Sequence, residues 1–158
     1  MKNISDIIET YLKKVLNQSE QDIVIIKRSE IADKFQCVPS QINYVINTRF
    51  TAERGYLVES KRGGGGYIRI LRVESHSKEA LFDEMLTQID TSAPQVSAEH
   101  IIYRMIDEEI VSKREAKLMF AAIDRSTLQL PLPMRDEIRA RILKAMLMML
   151  KFERGDQT

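Results

Sequence analysis

Two short stretches of the chain carry side chains whose types and spacing suit contact with a polyanion. In the first, Ser40, Gln41, Asn43, Tyr44, Asn47 and Thr48 share one helical segment opening at Pro39. Asn and Gln amides can bond adenine bidentately, and hydroxyls reach bases or phosphates. Arg49 and Arg54 follow where phosphates would run. The second stretch is Lys61-Arg62-Gly63-Gly64-Gly65-Gly66-Tyr67, with Arg69 and Arg72 behind it. A hairpin turn needs only one or two residues of positive φ, so this run exceeds what turning requires. Bare backbone allows close approach to something large, and a basic tip suits a narrow minor groove of strong negative potential. The alternatives are a solvated helix with no ligand and a flexible surface loop. A phosphate-binding loop of the nucleotide type fits poorly. The run lacks the Lys-Ser/Thr ending and joins two strands instead of opening a helix.

The elements that must position these residues follow from periodicity. Ile4, Ile7, Ile8, Leu12, Val15 and Leu16 recur at helical spacing behind an Asn3/Asp6 start signal. Ile23–Ile26 reads as a short strand or extended link. A helix over Ser29–Gln36 buries Ile31, Ala32 and Phe35, and a tight link at Cys37–Val38 leads to a second helix over Pro39–Phe50. Pro39 suits a first turn, where its missing N–H would be unpaired anyway. On the wheel of that second helix Ile42, Val45 and Ile46 lie on one side. Ser40, Tyr44, Asn47 and Thr51 lie opposite, with Gln41, Asn43 and Thr48 on the flanks. This is helix-turn-helix spacing. Tyr56–Ser60 and Tyr67–Val73 read as strands flanking the glycine run, which makes the motif a winged one.

From Ser75 the pattern changes to four helices. They carry Leu81, Phe82, Met85, Leu86 and Ile89; then Ile101, Ile102, Met105 and Ile106; then Ala116, Met119, Phe120 and Ile123 behind a Ser112/Glu115 capping box. The last runs from about Met134 to Phe152. It shows two apolar stripes, one of Ile138, Ile142, Ala145 and Met149, the other of Leu143, Leu147 and Leu150. One stripe suffices for packing on its own domain. The second predicts a further surface to cover, and a symmetric dimer is the commonest solution. A helix buried centrally in its own bundle is the alternative.

Apolar residues are 44% and charged residues 30% of the 158, enough to bury a core. The net charge of +1 hides an asymmetry: 12 Lys+Arg against 9 Asp+Glu up to Glu74, then 12 against 14. A basic half is compatible with nucleic acid without requiring it. A single cysteine, Cys37, fits a reducing cytoplasm and reads as a small buried thiol. His76 and His100 read as surface groups, Asp107-Glu108-Glu109 as a solvated helix end, and no catalytic constellation is visible. We expect no enzyme activity, no metal, no cofactor and no membrane partner.

The segments Asn3–Ile8, Glu30–Phe50, Glu53–Tyr56 and Glu59–Arg69 resemble the class three stress-gene repressor (CtsR) family of low-GC Gram-positive bacteria. Ser112–Lys117, Asp124–Ser126 and Arg135–Met146 extend the resemblance, and Val73–Glu99 is the loosest match. It implies a dimeric repressor of heat-shock protease genes that binds promoter DNA at tandem heptanucleotide repeats and leaves it on heating. It also implies that the glycine-rich wing senses temperature. The arginine matching Arg62 would enter the minor groove and be phosphorylated by a protein-arginine kinase. That kinase, its activator and a Clp ATPase and protease are the implied partners.

The expected fold is therefore α+β and mainly α. Residues 1–74 form a winged helix-turn-helix domain with a β-hairpin wing, and 75–158 an all-α helical bundle for dimerisation. The expected DNA contacts are Arg28, Ser40, Gln41, Asn43, Tyr44, Asn47, Thr48, Arg49, Lys61, Arg62, Gly63, Gly64, Gly65 and Gly66. The rival from another class is a winged-helix interaction adaptor that does not bind DNA.

Overall fold

The structure is a computed structural model that describes residues 3–61 and 66–153. The chain divides into two compact units, Met1–Glu74 and Ser75–Thr158.

The first unit opens with α1, Ile4–Gln18. Asn3 and Asp6 form a reciprocal capping box: the Asp6 N–H donates to Asn3 Oδ1 at 2.9 Å and the Asn3 N–H to Asp6 Oδ2 at 3.4 Å. Ile8, Leu12 and Leu16, one turn apart, are buried, while Ile4 and Ile7 of the same periodic set stay at the surface. β1 is Ile23–Lys27, α2 is Arg28–Lys34 and α3 is Pro39–Arg49. β2, Tyr56–Lys61, and β3, Tyr67–Arg72, pair antiparallel with Lys61 opposite Tyr67. Ile23–Ile26, open between strand and link in the sequence, is a true strand. It pairs antiparallel with β3, so the sheet order is β1-β3-β2. Val24 and Ile26 point into the core and Ile25 points out, an alternation that an unbroken apolar run conceals.

Between α2 and α3 the chain turns through a Schellman motif. The Gln36 N–H donates to the Asp33 carbonyl and the Cys37 N–H to the Ala32 carbonyl, with Gln36 at φ +51°. Helix α2 thus ends earlier than the sequence pattern indicated, because residues 35–38 are spent on this turn. Cys37 is half-buried against the core.

The second unit contains α4 (Lys78–Ile89), α5 (Gln95–Asp107), α6 (Lys113–Ile123), α7 (Arg125–Leu128) and α8 (Met134–Glu153). The four expected helices are present. The short α7 had no sequence signal, being a single turn capped by Asp124. The Ser112/Glu115 box is formed, and the Ser112 backbone N–H, helped by its hydroxyl, holds the Glu115 carboxyl below its ordinary range. Leu81, Phe82, Met85, Ile89, Ile101, Ile102, Met105, Ala116, Met119 and Ile123 build the core, and Ala140, Leu143 and Leu147 close it from α8.

Two arginines lie inside this core, and hydrophobic periodicity passes over both. Arg139, 1% exposed, donates from Nε to the Ile123 carbonyl (2.7 Å) and from Nη1 to the Ala93 carbonyl (3.0 Å) and Asp136 Oδ1 (2.6 Å). It ties α8 to the ends of two other helical segments, satisfying carbonyls that a loop would otherwise leave dry. Arg104 of α5 is also buried and donates from Nη2 to Glu84 Oε2 of α4 at 3.1 Å.

Candidate nucleic-acid interface

Helix α3 has no side-chain cap at its start; Pro39 begins it and the Gln41 N–H bonds the Val38 carbonyl. Its inner face, Ile42, Val45 and Ile46, is buried with Ile31 and Ala32 of α2 and with Ile8 and Leu12 of α1. That packing turns Ser40, Asn43, Tyr44 and Asn47 outward, all exposed, with the Tyr44 ring 54% open. No acid occurs anywhere along the helix. Thr48 is half-buried, and its hydroxyl donates to the Tyr44 carbonyl at 2.6 Å.

Arg28 is the first residue of α2 and joins two parts of the candidate surface. Its Nε donates to Asn43 Oδ1 at 2.6 Å and its Nη2 to Ser60 Oγ at 2.7 Å. The guanidinium fork therefore ties α3 to β2, the strand that leads into the wing. One lone pair of the Asn43 oxygen is committed to this bond.

Wing residue Lys61 ends β2 and is exposed. Gly66 has φ +55°, and among the described residues a Cβ there would meet only the Lys61 carbonyl oxygen, at 3.7 Å. Conformation and not crowding calls for glycine at this position. Arg62, Gly63, Gly64 and Gly65 lie outside the described residues. Of the cations behind the run, Arg69 pairs across the strands with Glu59 at 3.5 Å and Arg72 with Asp22 at 3.7 Å.

The two arginines expected along the phosphates turn inward. Arg54 is 8% exposed, with Nη1 3.6 Å from Glu9 Oε2. Arg49 Nη1 lies between two carboxylates of α1, 2.8 Å from Asp6 Oδ1 and 2.7 Å from Glu9 Oε1. Burial works against both charges, yet pairing prevails. Lys13, Arg49 and Arg54 hold the Glu9 carboxyl below its ordinary value, and Asp6 with Glu9 holds Arg49 above its own. Gln41 also faces α1, its Nε2 donating to Ser5 Oγ at 2.7 Å. The wheel placed Gln41 correctly on a flank but could not say which neighbour would claim it.

The supporting residues Ser5, Asp6, Glu9 and Ser60 escaped sequence reasoning. Asp6 served there only as a helix-start signal. Nothing in a one-dimensional pattern links positions 6 and 9 to position 49.

Among the described residues no helix is long and apolar enough to cross a membrane, and no group of three or more His, Cys, Asp or Glu could hold a metal ion.

Residues 3–74 match the family model of the CtsR N-terminal HTH domain, and residues 77–148 that of the CtsR C-terminal dimerization domain. The transcriptional regulator CtsR of Geobacillus stearothermophilus is 65% identical over 97% of this chain and 100% of its own length. That of Bacillus subtilis (strain 168) is 59% identical over 96% of this chain and 98% of its own. The fold matches a crystal structure of CtsR in complex with a 26 bp DNA duplex, with TM-score 0.82 and 65% identity over 95% of this chain and 99% of that one. A helix-turn-helix unit and a helical unit, each matched by its own family model and both carried by relatives of nearly the same length, place this chain in the CtsR family of transcriptional regulators.

Proposed function

We propose that the chain is a homodimeric repressor that reads double-stranded promoter DNA in sequence-specific fashion. The observation that carries this reading is the outer face of α3, which presents Ser40, Asn43, Tyr44 and Asn47 to solvent without a carboxylate among them. A major groove accepts a helix, and its donors and acceptors distinguish all four base pairs. Asn47, on the most outward part of that face, reads a base edge, and Ser40, Asn43, Tyr44 and Thr48 contact bases or the flanking backbone. Arg28 joins the reading helix to the wing. Lys61, Arg62 and the glycines through Gly66 enter the adjacent minor groove, where cations are attracted and absent side chains allow fit.

Residues 1–74 form the DNA-binding domain and residues 75–158 the dimerisation domain. Helix α8 supports the dimer. Leu143 and Leu147 pack inward, while Met148, Met149 and Phe152 leave apolar surface exposed, Met149 at 59% and Phe152 at 66%. Two linked readers on tandem repeats gain effective concentration that one alone lacks.

Family membership supports the finer reading. The target genes are those of heat-shock Clp proteases and chaperones, and heat releases the repressor. Ordering a glycine-rich tip on DNA costs entropy that grows as TΔS, so affinity falls on warming. Phosphorylation of Arg62 by a protein-arginine kinase, with its activator, replaces a cation by an anion and repels the backbone. A Clp ATPase and protease then act on the released chain, which works in the cytoplasm.

The test is binding to a duplex of tandem heptanucleotide repeats, measured against salt at two temperatures. The expected logarithmic salt slope is about −0.9 per neutralised phosphate, with weaker binding when warm. A chain that bound no duplex, or bound without a salt slope, would overturn the reading.

A further inference from the structure

We infer that Arg49 is a positioning residue of α3 and not a phosphate contact: α1 clamps the reading helix at both ends. Ser5 holds Gln41 in the first turn, and Asp6 with Glu9 holds Arg49 in the last. The inference rests on the DNA-reading role proposed above for α3 and states how that helix is aimed.

Between the two ties, α3 touches its neighbours through the apolar side chains of Ile42, Val45 and Ile46 and through the outer Arg28–Asn43 hydrogen bond. Apolar packing fixes a separation, but it is non-directional and resists sliding or rotation of a short helix only weakly. Hydrogen bonds at residues 41 and 49 supply direction at points about 12 Å apart along the axis. The Arg49 tie is preset. Glu9 also receives Lys13 Nζ at 2.9 Å and the buried Arg54, so its carboxylate is held before Arg49 arrives. Asp6 is fixed by its own capping box.

Charge argues the same way. An Arg49 that swung out to a phosphate would give up Asp6 and Glu9, exchanging two carboxylate partners for one anion. Both carboxylates would then have one cation fewer close to a polyanion that repels negative charge. Arg49 does more for binding by staying on α1 and fixing the angle at which Asn43, Tyr44 and Asn47 meet the groove.

The two roles predict opposite signs when the carboxylates are neutralised. A duplex selected from a random pool by the wild-type chain is compared with a shuffled duplex of equal composition. Variants are Arg49→Gln, Glu9→Gln and the pair combined, with Asp6→Asn as a second carboxylate variant should Glu9→Gln fold poorly. Affinities are taken across a salt series beside a thermal melt of each protein. We expect Glu9→Gln, although it adds a net positive charge, to weaken the selected duplex on the order of tenfold, the equivalent of one or two lost polar contacts. The shuffled duplex holds or tightens. Arg49→Gln costs as much on the selected duplex, the combined variant costs no more than either alone, and salt slopes stay at the wild-type value. The inference is overturned if carboxylate variants bind the selected duplex as tightly as wild type or tighter. It is overturned equally if Arg49→Gln weakens both duplexes alike and lowers the salt slope by about one. A wild-type chain that selects no duplex at all fails the proposed function itself, a result visible before any variant is made.

Discussion

Helices α3 and α8 each pack one face into their own unit and leave another uncovered, but the uncovered faces differ in kind. On α3 it is polar, with Asn43, Tyr44 and Asn47 exposed, while Ile42, Val45 and Ile46 are inside. On α8 it is apolar over the last turns, with Met148, Met149 and Phe152 exposed beyond the charged Glu137 and Arg141, while Ala140, Leu143 and Leu147 are inside. An exposed polar face is at no disadvantage in water and can wait for a ligand that replaces water's hydrogen bonds. An exposed apolar patch is unfavourable until something covers it. The uncovered chemistry thus suits the partners of the proposed function: base edges for α3, a like apolar surface for α8. Polar anchors on the hidden sides also differ. Arg49 is partly exposed and shared by two carboxylates, whereas Arg139 is buried and bonded to two backbone carbonyls as well as to Asp136 and Gln95.

The largest expected effect falls on that last difference. Arg139→Ala removes a buried charge that satisfies two carbonyls and Asp136, and should destabilise the C-terminal unit by about 3–5 kcal/mol. Denaturant unfolding measures it. A loss under about 1 kcal/mol, the size of a single ordinary hydrogen bond, would make Arg139 no more structural than Arg49. Next comes the outer face of α8, where Met149→Asp places a charge in the proposed dimer contact twice over, once per copy. The dimer should weaken on the order of a hundredfold, roughly 2.8 kcal/mol, with the unit's own stability unchanged. Sedimentation across concentration reads this, and an unaltered monomer–dimer equilibrium would show that α8's apolar face has another use.

On α3, Asn47→Ala should cost about 1–3 kcal/mol of discrimination at a single base pair and leave dimerisation untouched. Binding to a panel of duplexes mutated one position at a time checks this, and equal weakening on every duplex would remove Asn47 from base readout. The smallest effect is the acid response of the α1–α3 clamp. Glu9 has a folded-state value depressed below 4.5. Its contribution is therefore complete above the unfolded value and lost as pH falls through the folded one. Melting curves from about pH 7 to about pH 3, a span that brackets an ordinary glutamate, should show Glu9→Gln converging on wild type at the acid end. Parallel acid limbs would deny the clamp any role in stability.

Local pattern made much of this molecule legible. The repeat of Ile8, Leu12 and Leu16, the capping residues Asn3 and Ser112, and the wheel of Pro39–Arg49 each concern residues within a few turns of one another. The helices they specified are present with ends shifted by only a few residues. Ile23–Ile26 is ambiguous because a short apolar run without polar alternation suits a link or a strand, and only pairing with β3 decides. For α8 the sequence displayed two stripes but could not say which faces inward. Packing chose Leu143 and Leu147, leaving Ala145 and Met149 outside and Ile142 half-buried.

What the sequence by itself determined is the set of helices longer than the single-turn α7, the winged arrangement and the chemical character of each face, because these depend on spacing along the chain. Which polar groups far apart in sequence meet was decided by the tertiary structure alone. Arg49 finds Asp6 and Glu9, Arg28 finds Asn43 and Ser60, and Arg139 finds the carbonyls of Ala93 and Ile123. A charged side chain reads as solvent-facing in any periodic pattern. Its partner lies across the fold, brought near by apolar packing that is itself indifferent to charge, so the pairing exists only once the core has formed.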